Sequence, residues 1–154
     1  MEVRTVSEQN TLYVRTTTPV AELPQIMGTI YGEIAEFMQK EGVPFTGPPF
    51  ALYHNMDMQA LDVEIGFPVP AAPASRGNER VQAGKIPGGK VLAVLHTGPY
   101  SAMEETYTKA MAHIEKEGLK VMPWMYEAYL NDPGETPPEQ LQTEIFFPLE
   151  VGST

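Results

Sequence analysis

Apolar and polar positions along the chain change period in a set order, and that order is met twice. Val3–Ser7 and Leu12–Thr18 are rich in Val, Tyr and Thr and are predicted as strands. Thr18-Pro19 resembles an N-cap followed by a proline at the first helical position. Leu23, Ile26, Met27, Ile30, Ile34, Phe37 and Met38 then recur at helical spacing, and Gly42 is a natural stop. Two strands are expected next, near 49–55 and 62–69. In the second half Val91–Thr97 is a strong strand. Ser101 with Glu104 forms a capping box, Met103, Tyr107, Ala110, Met111 and Ile114 make the apolar stripe, and Gly118 ends the helix. Strands near 123–130 and 142–149 complete the pattern.

The two halves also match residue by residue. "EGVPFTGPPFALYHN" (41–55) aligns without a gap on "EGLKVMPWMYEAYLN" (117–131), an offset of 117 − 41 = 76. "TTPV" (17–20) aligns on "TGPY" (97–100), and "EIGFPV" (64–69) on "EIFFPL" (144–149), both at an offset of 80. Three matches in one order point to a duplication. The expected fold is α+β: a duplicated β-α-β-β repeat within one domain, 1–154. The first repeat is 1–69, a Pro/Ala-rich linker 70–80, and the second repeat 81–154. The loop "NDPGETPPEQ" (131–140) interrupts the last hairpin.

Charge and composition narrow the function. A net charge of −10 argues against a nucleic-acid backbone as partner, since phosphate binding depends on clustered Lys and Arg. It favours cationic or neutral ligands. The absence of cysteine removes disulfides, thiol nucleophiles and Cys-based metal sites. The N-terminus has no apolar signal core and no run reaches the length of a membrane span, so the expected compartment is the cytoplasm, with no membrane partner. A homodimer is compatible with all of this.

One residue conflicts with its surroundings. Glu127 lies within the aromatic and apolar stretch "PWMYEAYLND" (123–132). A buried ionised carboxylate is costly, so Glu127 must face water, have a partner in the protein, or await one from outside. Strand alternation groups Met125, Glu127 and Tyr129 on one face, opposite Tyr126, Ala128 and Leu130. In the last strand Ile145, Phe147 and Leu149 share a face, with Glu144 and Phe146 on the other. If the apolar set packs on the helices, Glu127, Tyr129 and Phe146 take the helix-free face. The first repeat places Ala51, Tyr53 and Gly66 at the corresponding positions. A carboxylate and rings in one half against Ala and Gly in the other suggest a ligand pocket between the halves. Met125 offers adaptable lining. Trp124 is either a ligand platform or part of rim or core, and Tyr100 either lines the site or anchors a helix start.

Other motifs lead nowhere. "GKIPGGK" (84–90) fits part of a phosphate-binding loop, but Val91 stands where Ser or Thr is needed and a strand follows, so it is expected to be a turn. His54, His96 and His113 show no ligand spacing, and neither a metal nor another cofactor is expected. No nucleophile elbow is present.

"HTGPY" (96–100), "YEAYLNDP" (126–133) and the duplicated layout resemble the GyrI-like small-molecule-binding proteins, the effector-binding module of AraC- and MerR-type multidrug-sensing regulators. The likeness covers nearly the whole chain and is to the stand-alone form. It implies a curved antiparallel sheet with two main helices on its outer side and a ligand groove on its inner side. It further implies that a glutamate at position 127 meets bulky, lipophilic, often cationic aromatic compounds among stacked rings. Some stand-alone members hydrolyse cyclopropane-bearing genotoxins with a pocket glutamate and an aromatic residue, which makes Glu127 the catalytic candidate of an alternative reading.

Overall fold

A computed structural model describes residues 1–55, 57, 59–70, 81–99, 102–131 and 135–150. In chain order the elements are β1 (Glu2–Val6), β2 (Gln9–Thr18), α1 (Leu23–Glu41), β3 (Phe50–Tyr53), β4 (Leu61–Val69), β5 (Gln82–Ile86), β6 (Gly89–Thr97), α2 (Met103–Glu117), β7 (Met125–Tyr129) and β8 (Gln142–Pro148). The architecture is the expected α+β one. Among the described residues no helix is long and apolar enough to cross a membrane.

Both helices end as expected: Gly42 (φ +70°) and Gly118 (φ +65°) adopt the left-handed conformation and return their N–H groups to carbonyls of the last turn. The beginnings differ from expectation. Thr18 remains in β2, and its hydroxyl bonds the Pro19 carbonyl instead of capping a helix. A 3-10 turn over Val20–Glu22 intervenes, and α1 starts at Leu23 with Pro24 in its first turn. Ala102, which has no capping side chain, takes the cap of α2. Ser101 of the expected capping box lies outside the described residues, as do 71–80 of the linker. Of the "GKIPGGK" stretch only Pro87 and Gly88 form a connection; residues 84–86 belong to β5 and 89–90 to β6.

The chain forms two compact units, residues 7–88 (here the N-terminal unit) and residues 1–6 with 89–154 (the C-terminal unit). Neither follows the sequence repeats at its edges. The short strand β1 of the first repeat pairs with β6 of the second, and β5, its counterpart at an offset of 80, pairs with β2 of the first. The strand order is β3-β4-β2-β5 in the N-terminal unit and β1-β6-β8-β7 in the C-terminal unit, with each pairing antiparallel.

Each unit buries one sheet face against its helix. In the N-terminal unit Leu12, Val14, Val63 and Ile65 are buried, as are Ile30, Ile34 and Met38 of α1. In the C-terminal unit Leu92, Val94, Ile145 and Phe147 are buried, as are Met103, Ala110 and Ile114 of α2. Helical and alternating periods meet on one face of each sheet, which is why the apolar stripes were readable.

Gly66 illustrates a different constraint. It sits opposite Phe50 on one side and Tyr13 on the other. A Cβ there would press into the Leu12 carbonyl oxygen and come within 2.9 Å of Tyr13 Cα. Glycine is required because backbone approaches backbone. Gly66→Ala is therefore expected to destabilise the protein by about 1–3 kcal/mol, the cost of overpacking a site that cannot relax. A urea midpoint equal to that of the parent protein would show that β2 yields.

Candidate functional site

Strand register decides which side chains share a face, because residues opposite each other in an antiparallel pair point the same way. In the C-terminal unit this gives three rows across β7, β8 and β6: Met125–Phe147–Leu92 by alternation, Glu127–Ile145–Val94, and Tyr129–Thr143–His96. Two contacts show that α2 lies over these rows. The Tyr107 ring meets the Phe147 ring edge-on, with centroids 6.0 Å apart. The Thr106 hydroxyl lies 2.6 Å from His96 Nδ1.

Glu127 is 5% exposed. The Tyr107 hydroxyl, from α2, donates to its Oε2, and the Tyr129 hydroxyl donates to its Oε1 at 2.7 Å. Met125 Sδ lies 4.0 Å from the same Tyr107 hydroxyl. Desolvating a carboxylate costs several kcal/mol. Hydrogen bonds to a charged group return about 1.5–3 kcal/mol each. The two phenols therefore account for much of what allows this acid to sit against an apolar face. They also enclose the carboxyl group between two tyrosine side chains.

Glu127 and Tyr129 thus occupy the helix-bearing face, not the helix-free face that alternation alone suggested. Alternation fixes which residues share a side within a strand but not which side meets the helix. Here the tyrosine of α2 supplies the hydroxyl that an acid on that side needs. Phe146 is correctly placed on the helix-free face and is for that reason separated from Glu127. There it stacks on Tyr126 (4.7 Å, 17°), which in turn stacks on the half-buried Trp124 (6.1 Å, 16°). Tyr100 lies outside the described residues.

The first-repeat candidates belong to the N-terminal unit. Ala51 and Tyr53 are buried opposite Ile65 and Val63, on the face that meets α1. Gly66 lies on the other face. At the position of Tyr107, 76 residues earlier, Tyr31 makes the same edge-on contact with Phe67, at 5.3 Å. With Ala51 in place of the acid, its hydroxyl donates to the Phe50 carbonyl at 2.7 Å. The duplicated geometry is shared and the charge is not.

Tyr107 is the residue that sequence reading left in the apolar stripe of α2. Its signal was present: a phenol in a buried stripe needs a hydrogen-bond partner.

The sequence profile of the GyrI-like small-molecule-binding domain family matches residues 1–150. No curated protein matches the chain. Among solved structures, the C-terminal domain of EcmrR is similar at TM-score 0.81 and 23% identity, over 97% of this chain and 96% of that one. EcmrR in its complex with DNA gives 0.84 and 23% over 97% of this chain, which spans 56% of the EcmrR length. A hydrolase from Listeria innocua gives 0.67 and 20%, over 97% and 91% of the two chains. SAV2435 bound to tetraphenylphosphonium gives 0.66 and 10%, over 97% and 93%. At these identities the likenesses establish the fold.

The helix-free ladder yields a pH prediction. Burial, with Glu144 nearby, pushes the Tyr126 phenol up to about 12 from its ordinary 10.0, while Arg4 acts in the opposite direction. The folded protein thus holds this proton longer than the unfolded chain does. Its contribution to stability is complete below pH 10 and is lost as pH rises through about 12. An ultraviolet titration should show one phenol ionising at about 12, missing in Tyr126→Phe. An unchanged titration in that variant would refute the assignment.

Proposed function

The chain belongs to the GyrI-like small-molecule-binding family, and from that premise we propose that it binds bulky, hydrophobic, often cationic small molecules at Glu127. The observation that carries this reading is a buried carboxylate set among tyrosine rings on the helix-bearing face of the sheet. Three contributions combine. Covering apolar ring surface stabilises the complex by about 25 cal/mol per Å². The faces of Tyr107 and Tyr129 attract a delocalised cation by roughly 0.5–2 kcal/mol per good contact. Glu127 adds charge complementarity where water is scarce. A single charge with stacked rings tolerates many shapes, so broad specificity follows. The net charge of −10 attracts the same class of ligand. That SAV2435, a chain of the same fold, is bound to tetraphenylphosphonium supports the choice of ligand.

A second reading has its own observation. Two hydroxyls beside one carboxylate provide the polar groups that a hydrolase acting on cyclopropane-bearing electrophiles requires. Glu127 would act as general base toward water, with a tyrosine orienting the substrate. The likeness to the Listeria innocua hydrolase is in keeping with this. Binding needs only the charge and the rings, so it ranks first.

Titration with tetraphenylphosphonium and with neutral triphenylphosphine oxide separates charge from shape. Glu127→Gln is expected to weaken the cation by about tenfold or more, ~1.4 kcal/mol, and the neutral probe by far less. Equal losses for both would remove Glu127 as the charge partner. Turnover of a strained cyclopropane electrophile above the buffer rate, abolished in folded Glu127→Gln, would instead establish the second reading.

A further inference from the structure

The histidine of the "HTGP" stretch has no part in the binding mode proposed above, yet both its ring nitrogens are engaged. His96 is 5% exposed. Its Nε2 lies 3.1 Å from the Pro99 carbonyl and its Nδ1 2.6 Å from the Thr106 hydroxyl. A carbonyl only accepts, so Nε2 carries the proton. In the neutral ring Nδ1 then accepts from Thr106. The Pro99 carbonyl also takes the Ala102 N–H at 3.0 Å, at the start of α2. Between them Gly98 adopts φ +131°, a conformation open to glycine, and donates its N–H to the Leu141 carbonyl at 2.7 Å. One imidazole thus ties β6, the turn that starts α2, and the first turns of α2 itself.

Thr106 immediately precedes Tyr107, the phenol that donates to Glu127. The other repeat provides an internal control. The counterpart of His96 at an offset of 80 is Thr16, that of Thr106 at 76 is Ile30, and that of Glu127 is Ala51. Ile30 is buried core, and Tyr31 beside it bonds a backbone carbonyl. Helix, glycine stop and tyrosine are present in both repeats. The His–Thr latch occurs only in the repeat that carries the acid. A latch needed merely to pack a helix on its sheet would have no reason to accompany the carboxylate.

We propose that His96, acting through Thr106, is a positioning residue that fixes the rotation and height of α2 so that the Tyr107 hydroxyl meets Glu127. This deepens the binding reading, and its test has one arm that does not depend on any ligand. In the ligand-free protein the Tyr107 hydroxyl proton should give a slowly exchanging proton resonance downfield of the amides, identified by its loss in Tyr107→Phe. Thr106→Val keeps the side-chain shape and removes the hydroxyl. It should broaden or abolish that resonance, Thr106→Ser should restore it, and His96→Gln should behave like Thr106→Val. In the second arm Thr106→Val should weaken tetraphenylphosphonium by about fivefold, the effect of one hydrogen bond, and by nothing further in a Tyr107→Phe background. A Tyr107 resonance unchanged in folded Thr106→Val, or an equal loss of affinity with and without Tyr107, would overturn the proposal. If tetraphenylphosphonium fails to bind the parent protein, the binding reading fails, while the resonance still decides the latch.

Discussion

The hydrogen bonds from Tyr107 and Tyr129 to Glu127 are the constraint on which the C-terminal unit turns. A carboxylate against a sheet face packed by a helix would otherwise favour a protonated acid or a loosened helix. With two phenols donating, the carboxyl group is held in place. The position of α2 and the register of β7 on β8 become mutually dependent: sliding either by one residue separates an oxygen from its donor. The acid is therefore a register device for the unit that contains it.

Preorganisation is the functional counterpart of that rigidity. A flexible surface glutamate would have to be ordered when a cation arrives, with a loss of side-chain entropy that weakens binding. Here the ordering is complete before any ligand is present, and both carboxylate oxygens already have fixed neighbours. In the proposed binding mode the rings that hold the acid would also offer their faces, so the same two side chains would stabilise the free protein and contact the guest.

Much of this was legible in the chain. Helical and alternating periods located both helices, both glycine stops and every strand but β5 to within a few residues, because each of these elements buries one face and its period records that face. The duplication gave the layout, and the isolated charge in "PWMYEAYLND" marked Glu127. Three features were not legible. The face occupied by Glu127 depends on where α2 packs, which no strand pattern contains. Gly66 looked like space left for a ligand, whereas it is filled by the backbone of β2. The exchange of β1 and β5 between the repeats was not legible because the short, mostly exposed β5 carries no apolar alternation and only tertiary pairing assigns β1 to β6 and β5 to β2.

The two repeats show how little must change for a duplicated scaffold to gain a charged site. Tyr31 and Tyr107 hold equivalent positions and make the same edge-on contact with Phe67 and Phe147. In one repeat the hydroxyl is satisfied by a main-chain carbonyl, in the other by a carboxylate. The carbonyl belongs to Phe50, the residue before Ala51, so the acceptor lies within one strand position of the alanine that replaces the acid. A buried phenol must find an acceptor in either case, and the strand beneath it offers one whether or not an acid is present. The acid therefore exploits a donor that the fold already directs at that strand. Confining it to one repeat keeps the other repeat's equivalent face apolar, without the cost of desolvating a second carboxylate.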